Sequence, residues 1–198
     1  MKIIFVTDYV CPYCIVGKAA LKEAIRQLGI EVEIETLPMQ LTMEGEPKVD
    51  TWSNQEKREK YKVLTDPAQE MGLNVKIPPF VVPRPYTRLA FEGHFYALEH
   101  GLADAYDDAM YRAYFVDERD IGELDVITDV AASVGLDPKE LSEALQDGRY
   151  SETVAKADAY TKETLDVHSV PTLFIDGDRV QFKDYTVADA IRILNSYI

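Results

Sequence analysis

Cysteine is scarce in this 198-residue sequence, which contains only Cys11 and Cys14. One pair three residues apart excludes a secreted disulfide scaffold, because such scaffolds need several pairs. A structural zinc site needs about four ligands, and the histidines provide no close second pair. His94 and His100, six residues apart, share no helix face and are expected at the surface. His168 lies near the second candidate motif, but a surface loop is its expected place. No metal site is predicted.

Long apolar runs are also lacking, since no segment approaches the ~20 residues of a membrane-spanning helix. The N-terminal run Ile3–Val6 is too short for the core of a signal peptide, and no small-residue cleavage site follows it. With Met1 as the native start, a cytoplasmic protein without a membrane partner is expected.

Positive charge is in deficit, with 21 lysines and arginines against 35 acidic residues and a net charge of −14. A chain this acidic repels phosphate, which excludes nucleic acid and anionic membranes as partners. Hydrophobic residues make up 46% of the chain and charged residues 28%, as in ordinary globular proteins. The length allows a core that needs no disulfides.

The two ends of the chain have strand patterns. Residues 2–7 predict a central strand buried on both faces, and the strict alternation over 31–37 predicts a strand near a sheet edge. The apolar spacing between these strands predicts a helix that ends at Gly29. Near the C-terminus, 172–175 and 179–183 predict a hairpin, and an amphipathic helix follows it from a Thr186 cap.

The middle of the chain is helical in pattern. Capping boxes are predicted at Ser53–Glu56 and Asp137–Glu140, and four prolines make 74–85 an irregular connection. The predicted helices of this bundle cover 86–100, 104–116, 123–134, 138–146 and 150–165.

A βαβ unit and a ββα unit with helices inserted between them predict an α/β protein with the thioredoxin fold. Its sheet is four-stranded and mixed, and the insertion is an all-helical subdomain. The predicted parts are 1–50 (N-terminal βαβ part), 51–166 (helical insertion) and 167–198 (C-terminal ββα part). A CxxC at the start of the first helix is the redox signature of this layout.

The two cysteines are placed for thiol–disulfide chemistry. Cys11 stands where the first strand ends and the helix begins, and Pro12 suits the first helical turn. A thiolate at this point faces unpaired backbone N–H groups and the positive end of the helix dipole. Cys14 lies one turn further on the same face. Cys11 is therefore the predicted nucleophile and Cys14 the resolving thiol; the alternative is two buried structural thiols.

A second motif, Val170-Pro171, opens the strand that follows the insertion. A cis peptide bond is predicted here, with Pro171 facing the CxxC and the Val170 backbone free to pair with a substrate strand. The alternative is an ordinary trans proline at a strand start. Pro12 and Tyr13 are further predicted substrate contacts.

Three other residues give weaker signals. Asp8, three residues before Cys11, is either a proton acceptor or a turn former. Arg84 and Arg88 follow the proline-rich segment and are candidates to bind an anionic end of a substrate.

The chain resembles the DsbA-like thioredoxin superfamily, and within it the FrnE-like branch, which is related to 2-hydroxychromene-2-carboxylate isomerases and kappa-class glutathione transferases. The resembling stretches are Asp8–Gly17, Leu37–Leu41, Thr87–Ala90, Tyr114–Gly122, Val134–Asp137 and Val170–Ile175. FrnE-like proteins often carry CPWC, whereas Tyr13 makes this motif CPYC.

This resemblance implies a protein-disulfide oxidoreductase or isomerase that acts on protein thiols and disulfides. Glutathione, as a co-substrate, and thioredoxin are the expected redox partners, and no bound cofactor is expected. One alternative is a glutathione-dependent isomerase or transferase of small molecules. Those relatives place serine at the nucleophile position, so the retained Cys11 and Cys14 favour redox work. A non-catalytic adaptor on the same fold is the other alternative.

Overall fold

The computed structural model describes residues 1–198, which form one mixed four-stranded sheet with helices around it. The strands are Lys2–Thr7 (β1), Glu33–Pro38 (β2), Thr172–Ile175 (β3) and Asp178–Val180 (β4). Their order is β2-β1-β3-β4. The β1 strand runs parallel to β2 and antiparallel to β3, and β3 and β4 form the C-terminal hairpin. The predicted thioredoxin arrangement is confirmed, with β1 at the centre and β2 at an edge.

Helices make up every regular element between β2 and β3, as the sequence predicts. The helices are Pro12–Leu28 (α1), Gln55–Tyr61 (α2), Thr65–Glu70 (α3), Arg88–Glu99 (α4), Ala103–Phe115 (α5), Leu124–Ser133 (α6), Pro138–Gln146 (α7), Ser151–Ala159 (α8) and Val187–Leu194 (α9). A 3₁₀ turn, Lys62–Leu64, joins α2 to α3, and a π-helical turn, Tyr160–Thr164, extends α8. None of these helices has the length and apolar character needed to cross a bilayer.

The helix α1 carries Cys14, has Cys11 as its N-cap and has well-defined ends. Pro12 occupies its first turn, where a missing N–H costs nothing. Gly29 ends it in the left-handed conformation at φ 63°, and its N–H returns to the carbonyl of Arg26. One face, which includes Cys14 and Leu21, is buried in the core. The positions of the cysteines on α1 are therefore fixed by packing along the helix.

Most element boundaries differ from the prediction by one or two residues, and two of the differences have a visible side-chain cause. Asn54, not Ser53, caps α2, and its side chain accepts a hydrogen bond from the Lys57 N–H at 3.0 Å. The last strand ends at Val180 rather than at residue 183, because Asp189 in α9 accepts the N–H of Lys183 at 2.5 Å. The second predicted cap is confirmed, since the Asp137 carboxylate accepts the N–H groups of Lys139 at 2.9 Å and Glu140 at 3.0 Å.

Candidate active site around Cys11 and Cys14

Cys11 lies at the junction between β1 and α1. Its N–H donates to the Asp8 carbonyl at 3.0 Å, which closes the turn after the strand. Its own carbonyl accepts the N–H of Cys14 at 3.1 Å and of Ile15 at 3.4 Å, so it is the N-cap of the helix. The Cys11 side chain therefore stands at the end of α1 where backbone N–H groups are unpaired.

Val170 and Pro171 face Cys11 from the start of β3. The Cys11 Sγ donates a hydrogen bond to the Val170 carbonyl oxygen at 3.5 Å, although 159 positions separate the two residues. The peptide bond between Val170 and Pro171 is cis, which confirms the predicted isomer. The antiparallel pairing of β1 with β3 brings the two motifs to the same end of the sheet.

Cys14 is fully buried at 0% exposure, and Cys11 is 4% exposed. Burial, followed by its interaction with Cys11, raises the pKa of Cys14 well above the ordinary thiol value, while the Thr7 hydroxyl and the Asp8 backbone act to lower it. Both cysteines are free thiols in this structure. Cys14 thus has the shielded position that the sequence predicts for a resolving thiol.

A wall of tyrosines stands beside the dithiol. Tyr13 donates its hydroxyl to the Lys60 carbonyl at 3.1 Å, and its ring centroid lies 5.9 Å from that of Tyr61 and 5.2 Å from that of Tyr185. Burial and the two nearby cysteines raise the pKa of Tyr185 to about 12. Pro12 and Tyr61 line a small neighbouring cavity. Sequence reasoning found Tyr13 and missed Tyr61 and Tyr185, which no local motif marks.

Asp8 is a buried structural residue at the end of β1. Its carboxylate accepts the Leu41 N–H at 2.7 Å, and its carbonyl accepts the N–H of Cys11. Burial raises the pKa of Asp8 above the ordinary carboxyl value. These contacts match the predicted turn former and tie the segment after β2 to the CxxC turn.

The surface position predicted for His94 is wrong. The residue is 2% exposed, and its Nδ1 lies 2.8 Å from the Asp107 carboxylate in the core. Tyr9 and Thr36 also donate to Asp107, so the imidazole belongs to a buried polar cluster that sequence spacing does not show.

The other two histidines are exposed, as expected. His100 Nδ1 lies 2.8 Å from the Tyr96 carbonyl, and His168 Nε2 lies 2.8 Å from the Asp166 carboxylate. These partners belong to the segments around each histidine.

The two candidate arginines have partners within the chain. Arg84 is buried and donates to the Thr42 hydroxyl at 2.7 Å. Arg88 pairs with Glu44 at 2.9 Å and also with the buried Glu92. Both guanidiniums are thus engaged within the chain, and their predicted role with an anionic substrate end stays a prediction.

Known proteins resemble this chain over nearly its whole length. The uncharacterized protein YwbO of Bacillus subtilis (strain 168) is 37% identical over 175 residues, which are 88% of this chain and 86% of YwbO. The structure of a probable DsbA oxidoreductase from Streptomyces coelicolor has a TM-score of 0.79 at 23% identity, covering 99% of this chain and 89% of that one. The cytosolic disulfide reductase DsbM from Pseudomonas aeruginosa has a TM-score of 0.72 at 17% identity, covering 99% and 98%.

The two solved structures establish the fold that these proteins share with the chain. The family assignment comes from the sequence itself, because residues 2–195 match the profile described as the DSBA-like thioredoxin domain. The CxxC turn and the facing Val170-Pro171 segment both lie within the matched region. The chain therefore belongs to the DSBA-like thioredoxin domain family.

Proposed function

We propose that this protein is a thiol–disulfide oxidoreductase that acts on protein disulfides, with Cys11 as the nucleophile and Cys14 as the resolving thiol. The observation that carries the proposal is the position of the Cys11 sulfur, at the start of α1 and 3.5 Å from the Val170 carbonyl. In the reducing direction, the Cys11 thiolate attacks a substrate disulfide and releases one substrate thiolate. Cys14 then attacks Cys11, forms the Cys11–Cys14 disulfide and releases the second substrate sulfur.

The substrate chain binds beside Val170 in this proposal. The Val170 backbone pairs with an extended substrate segment, and Pro171 holds that edge opposite the nucleophile. Pro12 and Tyr13 form the opposite wall, which Tyr61 and Tyr185 extend. An apolar and aromatic wall suits a disulfide within a polypeptide, because it contacts the side chains next to the sulfur atoms.

Glutathione and thioredoxin are the proposed redox partners, and the cytoplasm is the proposed location. DsbM, whose fold this chain shares, is described as a cytosolic disulfide reductase and has also been solved with GSH. The FrnE-like branch is proposed on another likeness, since the chain also shares its fold with a 2-hydroxychromene-2-carboxylate isomerase.

The direct test replaces the resolving thiol. Cys14→Ser should accumulate a covalent mixed disulfide with a protein substrate that carries scrambled disulfides, seen as a band that disappears on adding dithiothreitol. The matched control Cys11→Ser should form none, since Cys14 is 0% exposed and is not at the helix start, whereas Cys11 is 4% exposed and stands at the N-cap. Equal trapping by both variants, or trapping by neither, would reject the assigned roles.

The direction of electron flow follows from the reduction potential of the pair, measured in glutathione buffers. We expect a value near that of thioredoxin, about −270 mV, as suits a reductase. A value near −120 mV, that of a strong oxidant, would contradict the expectation that the protein reduces disulfides. Failure to form the Cys11–Cys14 disulfide at any poise would reject the redox function and favour a glutathione-dependent small-molecule enzyme or an adaptor.

A further inference from the structure

The proposed nucleophile is closely covered. Cys11 is only 4% exposed, and its sulfur lies 3.5 Å from the Val170 carbonyl on one side. A disulfide within a polypeptide brings neighbouring side chains with it, and these side chains need room beside the sulfur. Some part of the structure around Cys11 therefore has to move before such a substrate can bind.

The short helix α2, Gln55–Tyr61, lies against the two residues between the cysteines. The Tyr61 ring packs edge-on against the Tyr13 ring, with the ring centroids 5.9 Å apart. Tyr61 also lines a small cavity together with Val10 and Pro12, the residues on either side of Cys11 in the sequence. Because Pro12 and Tyr13 form the wall of the proposed substrate site, α2 takes up space that the side chains of a polypeptide substrate need.

This helix is weakly held to the rest of the protein. No residue between Thr51 and Leu64 is buried, whereas these two residues, one on each side of the helix, are 3% and 0% exposed. The two ion pairs of α2 join its residues to each other and to the turn that follows it. An element with few buried contacts opens at a low cost in free energy. The helix can therefore move while both of its ends stay fixed.

One hydrogen bond ties α2 to another element. The Tyr13 hydroxyl donates to the Lys60 carbonyl at 3.1 Å, in the last turn of α2, where helix carbonyls have no intrahelical partner. The remaining hydrogen bonds of the helix are local, such as the one from the Lys57 N–H to the Asn54 cap. Phenylalanine at position 13 would keep the aromatic ring and lose this tie.

We propose that α2 is a lid beside the dithiol and that the Tyr13 hydroxyl is its latch, so that Tyr13 sets how readily a polypeptide disulfide reaches Cys11. When the bond to Lys60 breaks, the helix moves outward between its anchored ends. The space beside Pro12 and Tyr13 then widens for the side chains that flank a substrate disulfide. Tyr13 acts through α2 and is a positioning residue in this role. The inference rests on the proposed function and concerns the selection of its substrates.

The test compares a large disulfide substrate with a small one. The reduced protein is mixed with scrambled ribonuclease A or with 2-hydroxyethyl disulfide, quenched with acid, and its remaining thiols are counted by alkylation with a maleimide. The small disulfide has no flanking side chains and does not need the space that α2 takes up. Tyr13→Phe should therefore raise the rate with the protein disulfide, relative to the small one, by about 2- to 10-fold, as for one lost hydrogen bond.

A second variant loosens the lid without changing the wall. Asn54 caps α2 at the end opposite to Lys60, and Asn54→Ala removes a cap that favours the helix by about 2- to 10-fold. We expect the same rise in the ratio of the two rates, with the small disulfide reacting as in wild type. Asn54→Asp keeps a capping side chain and should restore the wild-type ratio. Asp137→Ala is the matched control, because it removes the cap of α7 and should leave the ratio unchanged.

Amide hydrogen exchange over residues 55–61 reports the opening of the lid directly. In Tyr13→Phe and in Asn54→Ala these amides should exchange about 2- to 10-fold faster than in wild type. In Asp137→Ala they should exchange at the wild-type rate.

The outcomes separate the lid from the proposed function. A raised ratio in Tyr13→Phe but not in Asn54→Ala would show that the Tyr13 hydroxyl acts on the substrate itself, and would overturn the lid. A wild-type ratio in both variants, or an equal rise in Asp137→Ala, would overturn it as well. A wild-type protein that reacts with neither disulfide would instead reject the proposed function. Reaction with the small disulfide alone, in wild type and in both variants, would reject polypeptides as substrates and the lid with them.

Discussion

Asp107 is the most heavily engaged charged residue in the core. Its carboxylate lies 2.8 Å from His94 Nδ1, 3.3 Å from the Lys18 ammonium and 2.8 Å from the Thr36 hydroxyl, and it also accepts from Tyr9. Burial alone would raise the pKa of Asp107, but the charges of His94 and Lys18 together with these hydrogen bonds lower it below the ordinary carboxyl range. The carboxylate form is therefore part of the folded structure.

We predict that Asp107→Asn lowers the free energy of unfolding at neutral pH by about 3–5 kcal/mol, because it removes the one buried carboxylate among the three that pair with the buried Lys18. A carboxyl whose pKa is lowered by folding contributes stability above the unfolded pKa, about 3.9, and loses it as the pH falls through the folded value. The difference between wild type and variant should therefore shrink on acidification below about pH 4. Urea denaturation at neutral and acid pH measures both values.

Asp108→Asn is the matched control for this prediction. Asp108 is the next residue, it also pairs with Lys18 at 3.3 Å, and its side chain is 47% exposed. Exposed ion pairs contribute about 0–1 kcal/mol, so this variant should unfold almost like wild type. A similar loss of stability in both variants would contradict the special role of the buried carboxylate.

At the scale of single residues, the sequence predicted what is encoded locally. Cys11, Cys14 and the Asp137 cap follow from spacing within a few positions, and all three lie where the pattern places them. His94 was misplaced because its partner, Asp107, is on another helix, and the sequence does not show which acid α5 turns toward α4. For the same reason the sequence does not show the hydrogen bond between the hydroxyls of Thr7 and Tyr111, which are 104 residues apart.

At the scale of elements, α4 and α5 pack closely at one glycine. A Cβ at Gly93 of α4 would collide with the phenol of Tyr106 on α5, whose hydroxyl donates to the Ala90 carbonyl at 2.9 Å. Gly93 therefore sets the distance between the two helices that carry His94 and Asp107.

We predict that Gly93→Ala lowers the free energy of unfolding by about 1–3 kcal/mol through overpacking. This loss is opposite in sign to the effect of helix propensity, by which alanine is more favourable than glycine within a helix by ~1 kcal/mol. The double variant Gly93→Ala/Tyr106→Phe should recover part of the loss, because it removes the atom nearest to the new methyl group. Thermal unfolding of wild type, Gly93→Ala, Tyr106→Phe and the double variant tests this prediction. A Gly93→Ala variant that is more stable than wild type would show that the helices move apart freely.

The element boundaries show where sequence patterns stop being sufficient. The N-cap of α2 lies one residue later than predicted because the Ser53 N–H donates to Asp50 at 2.9 Å, which places Ser53 in the preceding turn. Residues 181–183 have a strand pattern, but Asp189 of α9 takes the Lys183 N–H that a longer β4 would need. In both cases a side chain competes with the regular backbone pattern.

At the scale of the whole molecule, the dominant electrostatic fact is the net charge of −14. Like charges repel in the compact state, and salt screens that repulsion over a Debye length of about 8 Å at physiological ionic strength. We predict that the melting temperature at neutral pH rises as sodium chloride is increased from ~10 to ~200 mM. The effect should vanish near the sequence pI of 4.6. Calorimetry at low and high salt, at neutral pH and near pH 4.6, measures the melting temperatures. A melting temperature that falls with salt at neutral pH would mean that surface ion pairs outweigh the repulsion.

The overall architecture could be predicted because strand and helix patterns alternate in an order that few folds share. The position of Val170 beside Cys11 could be predicted only from that fold, because neither motif by itself indicates that the two are neighbours in space. The contacts of Tyr61 and Tyr185 with Tyr13 could not be predicted, because Tyr61 comes from the helical insertion and Tyr185 from the segment before α9, both distant from the CxxC motif in sequence.

The hydrogen bond from Cys11 to the Val170 carbonyl has a consequence for the timing of substrate capture. A thiol can donate this bond, but a thiolate has no proton to give. When Cys11 ionises, the Val170 oxygen loses its donor and becomes an open acceptor for the backbone N–H of an arriving polypeptide. In the proposed reaction, the same proton therefore controls both the reactivity of the Cys11 sulfur and the availability of the Val170 oxygen to a substrate backbone, so binding and attack become possible together.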